Sequence, residues 1–156
     1  TRLCLTELEK YVRRGMKMLD LGCGSGILSI AALLLGAESA MACDVDEKAV
    51  DIAYENAALN GVDRSRYTVL AGDVLGDSGF QQDRGCVYAV VAANIVADVF
   101  IALAPNVHHL IKKEGVFICS GIIDTRAEEV RSALEDSGLL VLEANALEGW
   151  YCFVCR

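Results

Sequence analysis

Three short patterns in this chain bring together atoms suited to holding a small charged ligand. The first is Asp20-Leu21-Gly22-Cys23-Gly24-Ser25-Gly26. Its glycines permit a sharp turn and close backbone approach, with a helix N-terminus behind them. The G-x-G-x-G spacing is tighter than the G-x-G-x-x-G of a dinucleotide fingerprint and suits a ligand without pyrophosphate. Asp20 beside it suits a cation, and Cys23 reads as a small residue in a tight place. The second is Asp44, roughly 20 residues beyond the glycines, where a carboxylate can accept both hydroxyls of a ribose. The competing role, capping the next helix, fits Asp46 better because it directly precedes Glu47-Lys48-Ala49-Val50. The third is Asp73-Val74, whose carboxylate and backbone N–H can meet the amino edge and ring of an adenine. Alone, Asp73 reads equally well as a solvated loop aspartate; the run of all three is stronger than any member.

These residues need a scaffold that brings them level, and the pattern supplies one. Short apolar runs at 16–21, 39–44, 66–72, 86–94 and 116–121 predict strands, separated by helical stretches at 27–36, 46–61, 97–112 and 124–136. The run at 86–94 is apolar without a break, as in a strand buried on both faces. The segment 139–155 predicts a hairpin turning near Glu148-Gly149. Regular alternation means an α/β, doubly wound, mostly parallel sheet, here with an antiparallel C-terminal edge. Ligands of such sheets sit beyond the carboxyl ends of the strands, where every pattern above falls. The opening residues read as a helix already under way, with Leu3, Leu5, Leu8 and Val12 roughly on one side, which predicts further chain upstream of Thr1.

Length and composition narrow the class. At 156 residues, 54% apolar and 23% charged, the chain is one domain with a core of its own. No apolar stretch reaches the roughly 18 residues of a membrane span. A net charge of −8 argues against a nucleic-acid backbone as the main partner and leaves room for small molecules and basic proteins. Seven cysteines spread through predicted elements fit reduced thiols, as in the cytoplasm. Cys152 and Cys155 form a C-x-x-C, but three residues apart on a strand they face opposite ways, and no second pair completes a zinc site. His108 and His109, before Lys112 and Lys113, are placed late in a helix, where cations favour the dipole. Trp150 and Tyr151 are assigned to core packing.

The three patterns and the hairpin resemble class I S-adenosylmethionine-dependent methyltransferases along essentially the whole chain. The stretches VVAANIVADVFIALAP, LIKKEGVFICSGII and AEEV, with DLGCGSGILSIAALLLGA, ENAALNGV and TRLCLTELE, resemble the bacterial PrmA family, which methylates protein eleven of the large ribosomal subunit. Two features depart from it: strand four begins Tyr88-Ala89 where the family has Phe-Asp, and 76–85 has no counterpart. The resemblance implies a seven-stranded Rossmann-like sheet in the order 3-2-1-4-5-7-6. It implies residues 1–156 as a catalytic domain lacking the family's separate N-terminal recognition domain. It also implies S-adenosylmethionine as cofactor and S-adenosylhomocysteine as product, with a basic ribosomal protein as partner, methylated on lysine ε-amines or an N-terminal amine. Asp20, Gly22, Cys23, Gly24, Gly26, Asp44, Val45, Asp73, Val74 and Asn94 form the expected cofactor set. Asn94, with the backbone carbonyl of Ile95, is the expected catalytic pair, accepting hydrogen bonds from the incoming amine; the competing role for Asn94 is a helix cap. Alternatives are methylation of RNA, DNA or a small molecule, a nicotinamide-dependent oxidoreductase, or an inactive cofactor-binding domain.

Overall fold

The computed structural model describes residues 1–73 and 87–156. In chain order these form α1 (Arg2–Tyr11), β1 (Lys17–Leu21), α2 (Ile27–Leu34), β2 (Ser39–Asp44), α3 (Glu47–Leu59) and β3 (Tyr67–Ala71). There follow β4 (Tyr88–Asn94), α4 (Ala97–Val107), β5 (Ile111–Ile123), α5 (Ala127–Asp136), β6 (Val141–Leu147) and β7 (Trp150–Cys155). The seven strands make one sheet ordered β3-β2-β1-β4-β5-β7-β6. The pairings from β3 through to β5 are parallel, while β7 runs antiparallel to both β5 and β6.

Register brings the chemistry level. Leu21 pairs with Cys43 on one side and Ala93 on the other, and Asn94 pairs with Ser120. The residues after Leu21, Cys43, Ala93 and Ser120 therefore emerge on one rim. β1 is the switch point: the chain winds outward from it in both directions, opening a crevice above its carboxyl end.

Alternation along the strands sorts the core into two layers. Met18, Ala42, Val90, Ile118, Cys152 and Val154 face α1, α2 and α3; Leu19, Leu21, Val91, Phe117, Phe153 and Cys155 face α4 and α5. Cys152 and Cys155 thus lie in different layers. Phe100 of α4 meets Phe117 edge-on at 6.1 Å between ring centroids, and each such burial contributes roughly 1.5–3 kcal/mol.

α1 is tied to the hairpin by a polar clamp. Lys10 Nζ donates to Glu7 Oε1 (2.9 Å) and to Glu143 Oε2 (3.0 Å), and the Tyr11 hydroxyl donates to Glu143 Oε1 (2.6 Å). Asn145 Nδ2 reaches Glu7 Oε1 at 3.1 Å.

Two expectations need correction. The helix predicted across 97–112 runs through Pro105 and ends at Val107, where the chain tightens into turns, His109 N–H donating to the Asn106 carbonyl (3.1 Å) and Leu110 N–H to that of Val107 (2.9 Å). Lys112 and Lys113 instead open the 13-residue β5, while His108 caps the helix and His109 follows it. The helix predicted from 124 begins as a 3-10 turn, Asp124–Arg126, before α5. Among the described residues no helix is long and apolar enough to cross a membrane.

Candidate functional site

The glycine turn connects β1 to α2, and Gly22, Gly24 and Gly26 all take left-handed φ values of 68°, 50° and 78°. At Gly26 the requirement is also one of space: a β-carbon would stand 2.6 Å from the Tyr67 hydroxyl and 3.0 Å from Ala53 Cβ. Beneath the turn, Ser29 N–H donates to Asp20 Oδ2 (3.0 Å) and Ser29 Oγ donates to the Gly26 carbonyl (3.0 Å). The Ser29 and Tyr67 hydroxyls share a further bond of 2.8 Å. The loop is therefore held from below by β3 and by its own helix.

Two carboxylates serve this turn. Asp44 Oδ2 accepts from Gly24 N–H (2.8 Å) and its Oδ1 from Asp46 N–H (3.0 Å), fixing the end of β2 against the turn. Asp46 is the helix cap, its Oδ1 accepting from Lys48 N–H at 2.9 Å, as the sequence predicts. Asp20 is fully buried, and its Oδ1 has no partner among the described residues. Burial pushes its pKa up to about 6, the bonds from Ser29 pull it down, and the nearby Asp44 charge adds to the rise. Burial likewise pushes the Cys23 thiol well above its ordinary range, which favours its neutral, less reactive form.

Beside the turn lies a cavity of about 340 Å³, lined by Gly22, Asp44, Val45, Asp73 and Ile95 of the expected set. Val74 lies outside the described residues. Val96, Val99 and Leu103 of the α4 segment add an apolar wall; sequence reasoning missed them, although their spacing of three and four from one another marks one helix face.

Asn94 lines a second, larger cavity of about 530 Å³, with Thr1, Arg2, Ser120, Gly121, Glu148 and Trp150. Asn94 does not cap α4: the cap position is Val96, and no side chain bonds there. Its Nδ2 donates instead to Thr1 Oγ1 (3.1 Å), leaving Oδ1 as an acceptor. At Gly121 (φ +89°), a β-carbon would stand 2.8 Å from Asn94 Oδ1 and 2.9 Å from the Ile95 carbonyl oxygen. Glycine keeps both acceptors open. Gly121 was not singled out from sequence, although the Ser-Gly pair that ends the predicted run at 116–121 was its signal; in the structure it lies at a register shift inside β5. Trp150, assigned to the core from sequence, is 49% exposed and walls this cavity. The hairpin turn places it at the rim instead of inside. Tyr151 does pack against the core.

Among the described residues no group of three or more His, Cys, Asp or Glu is placed to hold a metal. The donor set fits an organic cation carrying a ribose and a flat ring: two carboxylates, backbone N–H groups, a helix N-terminus and an apolar slot.

This sheet order, with the reversed β7 and a glycine turn after β1, defines a Rossmann-like methyltransferase fold. A structure from Lactobacillus delbrueckii subsp. bulgaricus described as ribosomal protein L11 methylase superposes with a TM-score of 0.89 at 28% identity, covering 99% of this chain and 76% of that one. SMU.776, a putative methyltransferase complexed with SAH, shares the fold at a TM-score of 0.83 and 14% identity, covering 99% of this chain and 48% of that one. The family model "Ribosomal protein L11 methyltransferase (PrmA)" matches residues 1–156, and the chain belongs to that family. Relatives named ribosomal protein L11 methyltransferase are 38% identical in Caldicellulosiruptor saccharolyticus and 40% identical in Clostridium botulinum (strain Eklund 17B), each over the whole chain. The chain spans about half the length of these relatives, 49% and 47%.

Proposed function

We propose that this chain is the catalytic domain of an S-adenosylmethionine-dependent N-methyltransferase acting on amino groups of a ribosomal protein, lysine ε-amines or an N-terminal amine. Family membership and the fit of the Asp44 cavity support the cofactor. Asp44 is the ribose acceptor, Val45, Val96 and Val99 flank the adenine, and Asp73 meets its amino edge. The turn from Gly22 to Gly26, Cys23 included, holds the charged end, and the buried Asp20 braces that turn from beneath through Ser29. S-adenosylmethionine, when bound, supplies a methyl on positively charged sulfur, which an amine nitrogen takes as S-adenosylhomocysteine departs and a proton passes to solvent.

The single observation that carries the acceptor assignment is the convergence of Asn94 Oδ1 and the Ile95 carbonyl over Gly121. Two acceptors suit a neutral amine whose N–H groups grow more acidic as the nitrogen becomes positive, so the bonds tighten in the transition state. They also aim the nitrogen lone pair, which is most of what an in-line displacement requires. The net charge of −8 complements a basic protein partner and disfavours nucleic acid. Recognition of the intact partner rests on the part of the relatives' length that this chain does not span. Six buried free cysteines among the described residues suit a reducing compartment, the cytoplasm.

The test is Asn94→Ala, assayed by mass spectrometry on ribosomal protein L11. We expect kcat to fall roughly a hundredfold, about 2.7 kcal/mol, with affinity for S-adenosylhomocysteine and Tm near wild type. An unchanged kcat would overturn the assignment of Asn94.

A further inference from the structure

The hairpin joining β6 to β7 turns in two residues, Glu148 and Gly149, with Leu147 paired to Trp150 across it. Both take left-handed φ, 51° and 80°. Tight turns of this kind favour Asn-Gly, Asp-Gly or Gly-Gly, because a side chain in the left-handed region crowds its own backbone unless it is short enough to bond locally. Glu148 is the only non-glycine with positive φ among the described residues. The turn is pinned from outside as well, the Gly149 carbonyl accepting from Asp124 N–H at 3.0 Å.

Among the described residues nothing compensates for the glutamate. Its side chain makes no hydrogen bond or ion pair among the described residues. Arg2 lines the same cavity but does not pair with it. What the strained residue does have is position: it lines the Asn94 cavity, beside Trp150. A local rule broken without local return is the mark of a residue held for function.

We infer that Glu148 is a specificity-determining residue, an anionic guide that draws cationic, lysine-bearing polypeptide segments into the Asn94 cavity; the inference rests on the acceptor reading above. An amine of this kind is protonated in water at neutral pH, so it arrives as a cation. A solvated carboxylate at the cavity wall attracts it during encounter and leaves its later deprotonation largely untouched. Glu148 therefore acts on binding of the acceptor, not on the transfer step.

Trp150 makes the inference measurable without catalysis. It is the one tryptophan in the sequence and walls the same cavity, so its emission reports occupancy. The probe is a lysine-rich decapeptide, titrated at low salt into the chain saturated with S-adenosylhomocysteine, against an isosteric norleucine decapeptide. In wild type the lysine peptide should bind more tightly than the norleucine peptide, with a preference that fades as salt rises. Glu148→Gln should weaken the lysine peptide about fivefold and flatten its salt dependence. Arg2→Gln should shift affinity the opposite way. Glu148→Asn is the decisive variant: it relieves the left-handed strain, so Tm should rise while lysine-peptide binding falls. A structural role alone would lower both. Equal affinity in wild type and Glu148→Gln, or a lower Tm in Glu148→Asn, would overturn the inference. Failure of the methyltransferase reading is distinguishable, because it shows as loss of S-adenosylhomocysteine binding, which none of these substitutions touches.

Discussion

The two cavities on this rim are built from different resources. The Asp44 cavity is assembled from the turn after β1, the ends of β2 and β3, and one face of α4, and what strains it is electrostatic: a fully buried Asp20 with an oxygen unpartnered among the described residues, close enough to Asp44 to feel its charge. The Asn94 cavity is assembled from residues 1–3, 94, 120–121, 147–148 and 150, and what strains it is conformational: left-handed backbone at Gly121 and Glu148. One pocket stores its cost in desolvated charge, the other in backbone geometry. The difference teaches where each will give way. Charge responds to pH and salt; geometry responds to side-chain substitution.

The largest effect expected on the geometric side is from Gly121→Ala. A methyl group there meets both Asn94 Oδ1 and the Ile95 carbonyl at under 3 Å and sits on a backbone that disfavours it. Steady-state assays should show kcat reduced at least a hundredfold, about 2.7 kcal/mol, while calorimetry shows S-adenosylhomocysteine binding within a few-fold of wild type. Equal losses in both would mean that the two cavities are one mechanical unit.

On the electrostatic side, Asp20→Asn should separate the terms. The folded protein holds the Asp20 proton up to pH about 6, whereas the unfolded chain releases it near its ordinary 3.8. The raised value means that protonation favours folding: this contribution is complete below about pH 4 and is lost as pH rises through about 6. Asparagine fixes the neutral form and keeps an acceptor for Ser29 N–H. Tm at pH 7.5 should rise by the equivalent of roughly 2–3 kcal/mol, with the gain vanishing near pH 4 in calorimetric scans. A gain independent of pH would show that the cost at Asp20 is not charge burial.

Smaller again, Asp44→Ala should weaken S-adenosylhomocysteine about tenfold or somewhat more, since charge-assisted bonds are worth about 1.5–3 kcal/mol each. Asp46→Ala serves as its control, lowering Tm by the roughly 1 kcal/mol of a lost cap while leaving affinity in place. Unchanged affinity in Asp44→Ala would remove that residue from the ribose assignment.

The same division explains what the sequence disclosed. The Asp44 cavity was legible because its glycines and carboxylates each follow a recognisable strand at short range, and the strand order came with the family resemblance. Val96, Val99 and Leu103 were the part missed, since their spacing does not tell a core stripe from a cavity wall. The Asn94 cavity was legible only in Asn94 and Ile95. Gly121, Glu148 and Trp150 reach it through register between β5 and β7 and through a two-residue turn, neither of which leaves a periodic signal. The overlong helix at 97–112 failed for a related reason: apolar residues continue through Leu110 and Ile111, and only Pro105 hints that a helix has ended and a strand begun.

The strand order also sets when the molecule becomes whole. β7 lies between β5 and β6, so a growing chain that has reached only Leu147 has a β6 with no neighbour to pair with and an uncovered edge on β5. The turn at Gly22, Asp44 and the β1–β4 pairing are complete by then and free to take their final form. The residues that wall the Asn94 cavity at Glu148 and Trp150 arrive with the strand that closes the sheet. During synthesis every described residue that lines the Asp44 cavity is made before Glu148 and Trp150 exist to wall the Asn94 cavity.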